Sequence, residues 1–218
     1  MKVHVLIKNK TGPIILWGMY PHRENELEKT KAAIVEKIGK SSYTLIAFEV
    51  LDWNEEFSPW KSPILDESFS GGANKTLDYL VNELVPILKN QYGPNREIYL
   101  MGYSLAGLFA LWSMYQTDLF AGALSCSGSL WYPEFISYVK KSIPLKNRKI
   151  YISLGGKEAN TKNKLMATIA DCTKEMVDIL KVDNIVKYEM NSGGHFADAG
   201  KRLAKAVEWI VDYSNKNN

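Results

Sequence analysis

Ser104 stands in the run Met101-Gly102-Tyr103-Ser104-Leu105-Ala106-Gly107, between the apolar stretch Glu97–Met101 and a second one, Leu108–Trp112. A serine at a sharp turn from strand into helix, with small residues two before and two after it, forms a nucleophile elbow. The demand is steric: strand and helix approach each other beside the serine, so only small side chains fit at those two places. Gly102 and Ala106 meet it, and Ala106 adds only a methyl where glycine is usual. The same turn puts Ser104 at a helix N-terminus, where the N–H of Leu105 can donate to an oxyanion developing on a substrate. The chemistry expected here is attack by a serine oxygen on an acyl carbonyl.

A serine hydroxyl needs a base to take its proton, and the chain offers three histidines. His4 lies in the first apolar run and reads as a residue of a sheet. His22 lies in the loop after Pro13–Trp17 and is expected to contact substrate. His195, in Asn191-Ser192-Gly193-Gly194-His195-Phe196, falls after the last strand-like run and before the last helix-like one, where a Ser…acid…His order puts the base. Gly193 and Gly194 supply the backbone freedom that lets its imidazole reach the elbow. The acid expected to orient it is Glu158, the nearest carboxylate past the run that ends at Leu154. Asp198 reads as the start of the last helix and Asp171 as a helix residue; a Ser–His pair without an acid also stays open. Met19, in Gly18-Met19-Tyr20-Pro21-His22, is the expected second oxyanion donor through its N–H.

These groups need a scaffold. Short apolar runs suited to buried strands occur at Val3–Lys8, Pro13–Trp17, Tyr43–Val50, Glu97–Tyr103, Ala121–Cys126, Lys149–Leu154 and Ile185–Met190. Most lack strict alternation, as strands covered on both faces do. Helical stripes fall between them: Leu77, Leu80, Val81, Leu84, Val85 and Leu88; then Leu165, Ile169, Met176 and Leu180; then Leu203, Val207, Ile210 and Val211. Pro86 is expected to kink or break the first of these. Alternating strands and helices predict an α/β fold, a mostly parallel sheet with helices on both faces. Its sites should lie beyond the carboxyl ends of the strands.

The stretch from Asp52 to Gly72 is long for a connection and rich in aromatic residues, so it is expected either to act as a lid or to cover a satellite cluster. Trp53 and Trp60 from this stretch, with Tyr103 and Trp131, are the expected walls of a substrate pocket, and Tyr132 can join them. No linker, repeat or low-complexity segment breaks the 218 residues, so one domain is expected over residues 1–218. The net charge of +3, from 27 basic and 24 acidic side chains spread along the chain, shows no basic block for nucleic acid. No apolar run approaches the roughly 18 residues of a membrane span. The first residues lack the apolar segment of a secretion signal, so a cytoplasmic setting is expected. Cys126 and Cys172 are expected to be two buried free thiols, although one disulfide is possible.

With these residues in view, the chain resembles the esterase branch of the α/β-hydrolases that includes enterochelin-esterase-like, feruloyl-esterase-like and S-formylglutathione-hydrolase-like enzymes. The segments that carry the resemblance are Met101–Leu108, then Ser125-Cys126-Ser127-Gly128-Ser129-Leu130-Trp131-Tyr132, then Gly193-Gly194-His195-Phe196. It runs from about Pro13 to the final helix, and the Ser-Gly-Ser-Leu-Trp stretch is most like the siderophore-esterase subgroup. The resemblance implies an α/β-hydrolase fold and hydrolysis of a small acyl, aryl or siderophore-type ester through an acyl-enzyme. It also implies no metal or organic cofactor, and a triad at Ser104, Glu158 and His195. An acyltransferase on the same fold, or a silent copy used for binding, are the competing expectations.

Overall fold

A computed structural model describes residues 1–40 and 42–217, with the side chain of Asn217 left aside. The strands are β1 (Lys2–Ile7), β2 (Ile14–Met19), β3 (Thr44–Glu49), β4 (Ile98–Tyr103), β5 (Gly122–Cys126), β6 (Lys149–Gly155) and β7 (Ile185–Asn191). Each falls within a residue or two of an apolar run in the sequence. They form one sheet in the order β1-β3-β2-β4-β5-β6-β7, with β1 antiparallel to β3 and the other pairs parallel. This is the α/β-hydrolase arrangement.

Period-two alternation splits the core in two. Ile14 and Leu16 of β2, Ile46 and Phe48 of β3 and Leu100 of β4 point to one face. There they pack with α3 (Ala73–Tyr79), α4 (Val85–Tyr92), α5 (Leu105–Ser113), α6 (Phe135–Lys141) and α7 (Ile169–Leu180). Ile15, Trp17, Leu45, Tyr99 and Met101 point to the other, against α1 (Glu24–Ile38) and α8 (Ala199–Asn217). The expectation of strands buried on both faces fails at the two edges. In β1 only Ile7 is buried, and β7 has no fully buried residue, because each has a neighbour on one side alone.

Pro86 leaves its mark just upstream. Residues Leu80–Leu84 form a π-helical turn in which the Val85 N–H reaches Leu80 O, five residues back. Pro86 follows at once in α4 within the same continuous helical run, and the wider π turn is the local irregularity beside the proline. Among the described residues no helix is long and apolar enough to cross a membrane. Cys126 is buried and free, whereas Cys172 is only partly covered on α7, so the expected pair of buried thiols holds for one of them.

The order of strands positions the site. The chain leaves β2 toward β3 on one side and returns to β4 on the other, so the carboxyl ends of β2 and β4 border the crevice at the switch point.

Candidate active site

Ser104 sits between the end of β4 and the start of α5 at φ 56° and ψ −123°, a backbone conformation costly for a side chain with a Cβ. The glycine before it is obligatory: a Cβ on Gly102 would lie 2.2 Å from the carbonyl carbon of Ala106 and 2.7 Å from its methyl. Gly107 packs against the next loop, where a Cβ would meet Ser125 Oγ at 2.9 Å and Gly128 Cα at 3.0 Å. The Ala106 methyl and carbonyl thus occupy the space that a side chain at position 102 would need. Leu105 opens α5, so its N–H has no acceptor within the helix.

Three loops beyond the strand ends converge on the serine. His195 Nε2 lies 3.0 Å from Ser104 Oγ, and its Nδ1 lies 2.7 Å from Glu158 Oε2. Glu158 follows β6 in a tight turn, its N–H bonding Gly155 O, and is 3% exposed. Its other oxygen, Oε1, accepts from the Gly155 N–H (2.6 Å), Ser127 Oγ (2.8 Å) and Arg202 Nη1 (2.7 Å). Burial alone pushes this carboxyl up. The hydrogen bonds from His195, Ser127 and Gly155 outweigh it and hold the group below the ordinary carboxylate value, so it is an anion at neutral pH. Ser129 Oγ lies 3.3 Å from Ser104 Oγ, a second hydroxyl against the same oxygen.

The His195 loop is tied from several sides. Lys157 N–H bonds Gly193 O and Gly156 N–H bonds Asn191 O. Gly193 takes φ 82°, whereas Gly194 has no positive φ, so one of the two expected glycines supplies the unusual backbone. A Cβ on Gly155 would meet Gly193 O, Arg202 Nη2 and Glu158 Oε1, all within 2.8 Å. Tyr103 donates its hydroxyl to His195 O; burial pushes that phenol up to about 12, so it stays a donor.

A cavity of about 720 Å³ opens on Ser104 and His195, a size that suits a small organic ligand. Trp17, Tyr20, Trp53, Tyr103 and Phe196 give it aromatic walls, and Arg23, Lys29 and Lys201 stand among its charged residues. Tyr20 stacks on Trp53 with ring centres 4.7 Å apart. Of the expected walls, Tyr103 and Trp53 line this cavity; Trp60, Trp131 and His22 do not.

Each departure has a physical cause. Trp60 donates its indole N–H to Pro133 O and packs on Tyr132 and Tyr138, at the margin of the first core. Trp131 stacks on Tyr132 there. His22 is exposed in a left-handed turn at φ 55°. The 52–72 stretch divides accordingly. It is pinned by Gly71 N–H to Ser58 Oγ and Gly72 N–H to Glu55 O, and Trp53 in α2 (Trp53–Phe57) is its wall of the cavity.

Met19 also departs from expectation. Thr44 N–H bonds Pro13 O, Ile14 N–H bonds Glu97 O and Val50 N–H bonds Met19 O. Along β2 the odd residues thus turn their backbone groups to β3 and the even ones to β4. The N–H of Met19 faces β3, away from Ser104. Asp198 precedes α8 and pairs with Lys201, and Asp171 lies within α7. Neither contacts His195. Arg202, the cation at the heart of the cluster, was not expected from the sequence. Its only signal there is a charge directly beside Leu203 in the apolar stripe of the last helix.

Comparison with known proteins places this geometry in context. The profile of a family described as "Putative esterase" matches residues 28–201. No curated protein matches the chain in sequence. Among solved structures, an IroE-like serine hydrolase from Shewanella oneidensis superposes with a TM-score of 0.75 at 15% identity, over 96% of this chain and 72% of that one. The siderophore hydrolase EstA from Aspergillus nidulans gives 0.67 at 14%, over 97% and 89%. A ferulic acid esterase gives 0.62 at 11%, over 94% and 86%.

Proposed function

The chain belongs to this esterase family of the α/β-hydrolase fold and is a carboxylic ester hydrolase, and from that premise we propose that it works through an acyl-enzyme on Ser104. The observation that carries the reading is the unbroken hydrogen-bonded line from Glu158 through His195 to Ser104. His195 Nε2 takes the Ser104 proton as Oγ bonds to the acyl carbon, and the carbonyl π electrons move to oxygen. The oxyanion accepts from the Leu105 N–H.

Collapse of this intermediate expels the alcohol, which leaves with the proton from His195. Water then attacks the acyl carbon as His195 takes its proton; collapse of this second intermediate breaks the bond to Oγ, His195 returns the proton to Ser104, and the carboxylic acid leaves. Glu158 keeps the proton on Nδ1 in the resting enzyme and stabilises the imidazolium between the two transfers.

The substrate class follows from the walls. Stacked Tyr20 and Trp53, with Trp17 and the 93%-exposed Phe196 at the mouth, suit an ester with an aryl or other flat apolar group. Steady-state turnover of a panel of 4-nitrophenyl and aryl esters tests the reading. Wild-type protein should hydrolyse them, whereas Ser104→Ala and His195→Ala should lose at least about a thousandfold in kcat. Turnover of folded Ser104→Ala at the wild-type rate would remove Ser104 from the mechanism.

A further inference from the structure

α8 carries a guanidinium into the interior. Arg202 is 1% exposed and heads the fully buried side chains in size. Through Nη1 it reaches Glu158 Oε1 (2.7 Å), Ser127 Oγ (2.7 Å) and Tyr103 Oη (3.1 Å). Through Nη2 it donates to Ser192 O (3.0 Å) and Gly194 O (2.8 Å), the carbonyls on either side of Gly193. A buried cation costs several kcal/mol unless an anion faces it, and the anion in contact with it is the Glu158 carboxylate. One arm of the fork thus grips the acid and the other grips the loop that carries the base. The planar guanidinium fixes both at once; an ammonium has no such spread of donors.

We propose that Arg202 is a positioning residue for the acyl transfer: one arm sets Glu158 in register with His195 Nδ1 and the other holds the loop that carries His195. The inference rests on the reading of Ser104, His195 and Glu158 given above. Among the described residues, the guanidinium bonds one carboxylate, Glu158 from the loop after β6, and two hydroxyls, Ser127 after β5 and Tyr103 of β4.

The test compares wild type, Arg202→Lys and Arg202→Met for kcat, KM, rate of labelling by a fluorophosphonate, and Tm. In Arg202→Met kcat and labelling rate should fall about 10- to 100-fold with KM little changed. Arg202→Lys keeps the charge and loses the fork, so its kcat should fall about tenfold. If the Met variant does not fold, the Lys variant decides, and wild-type kcat in it overturns the proposal. So does a folded Met variant with lowered Tm but wild-type kcat and labelling rate, which makes Arg202 a structural prop. Wild-type protein that neither turns over esters nor labels at Ser104 overturns the triad reading itself, and this inference with it.

Discussion

Replacing Glu158 by Gln changes one atom, and the surrounding hydrogen bonds dictate how the amide turns. Oε1 accepts from three donors, the Gly155 N–H, Ser127 Oγ and Arg202 Nη1. The amide oxygen must take that side, since an NH2 there would face three donors. The NH2 then faces His195 Nδ1, where Oε2 stood 2.7 Å away. Two N–H groups cannot share that contact, so the ring shifts its proton to Nε2 and Nδ1 becomes the acceptor. The Nε2 now pointing at Ser104 Oγ, 3.0 Å away, is a donor and cannot take the serine proton. In a serine protease the same swap of acid for amide costs about 10⁴ in kcat. The expectation here is a loss of about 10³- to 10⁴-fold, or about 4–5.5 kcal/mol of transition-state stabilisation. Stability should fall by about 3 kcal/mol, because the buried Arg202 loses its anion, and a chain of this size registers that as roughly 6–12 °C in Tm. Steady-state kinetics on a 4-nitrophenyl ester, with Ser104→Ala as background, reads the first effect and thermal melting the second. A folded Glu158→Gln protein within tenfold of wild-type kcat would refute the tautomer argument and favour a Ser–His pair that works without its acid.

The fold holds the carboxyls of Glu158 and Glu189 below their ordinary value of 4.5. For Glu189, bonds from Lys205 and Tyr151 outweigh the upward push of burial. In the pH range between the lowered and ordinary values the unfolded chain binds more protons. The stability these groups contribute is thus complete above about pH 4.5 and lost as pH falls through the lowered values. Melting curves from pH 6 to 3 should show this decline, and Glu189→Gln should flatten it; an unchanged slope would contradict the pairing. Trp53→Ala should raise KM for aryl esters more than for acetate esters, whereas Trp60→Ala should cost about 3 kcal/mol of stability and treat both substrates alike. A reversal of that pattern would place Trp60 in the pocket. Cys126 is fully buried and its thiol is pushed up to about 12, so a disulfide reagent at pH 8 should modify Cys172 in the native protein and Cys126 only after denaturation.

Much of this arrangement could be read from residue order because its constraints are local. The elbow depends on Gly102, Ser104 and Ala106 within five residues, and the crossing of β4 and α5 needs nothing from elsewhere. The strands were legible because apolar runs of Val, Ile, Leu and Tyr carry their own length and bounds. That Glu158 and His195 lie against Ser104 follows from their place after β6 and β7, a rule of chain order. What failed depended on direction or distance. Trp60 and Trp53 are seven residues apart in one aromatic stretch, and only packing decides that one turns to Tyr132 and the other to the cavity. The N–H of Met19 was misplaced because the side to which a strand residue turns follows from the register with β3 and β4. Arg202 stayed hidden because its partners come from β4, the loops after β5 and β6, and two backbone carbonyls. No spacing in α8 announces them.

An acyl-enzyme mechanism requires that Ser104 be an activated nucleophile. Incubating the native protein with a fluorophosphonate and mapping the adduct by mass spectrometry asks this without knowing the substrate. The prediction is one phosphonyl group per chain, on Ser104, absent in Ser104→Ala and slowed at least about a hundredfold in His195→Ala. A folded protein that remains unlabelled, or carries the adduct on another residue, would contradict the assignment of the site.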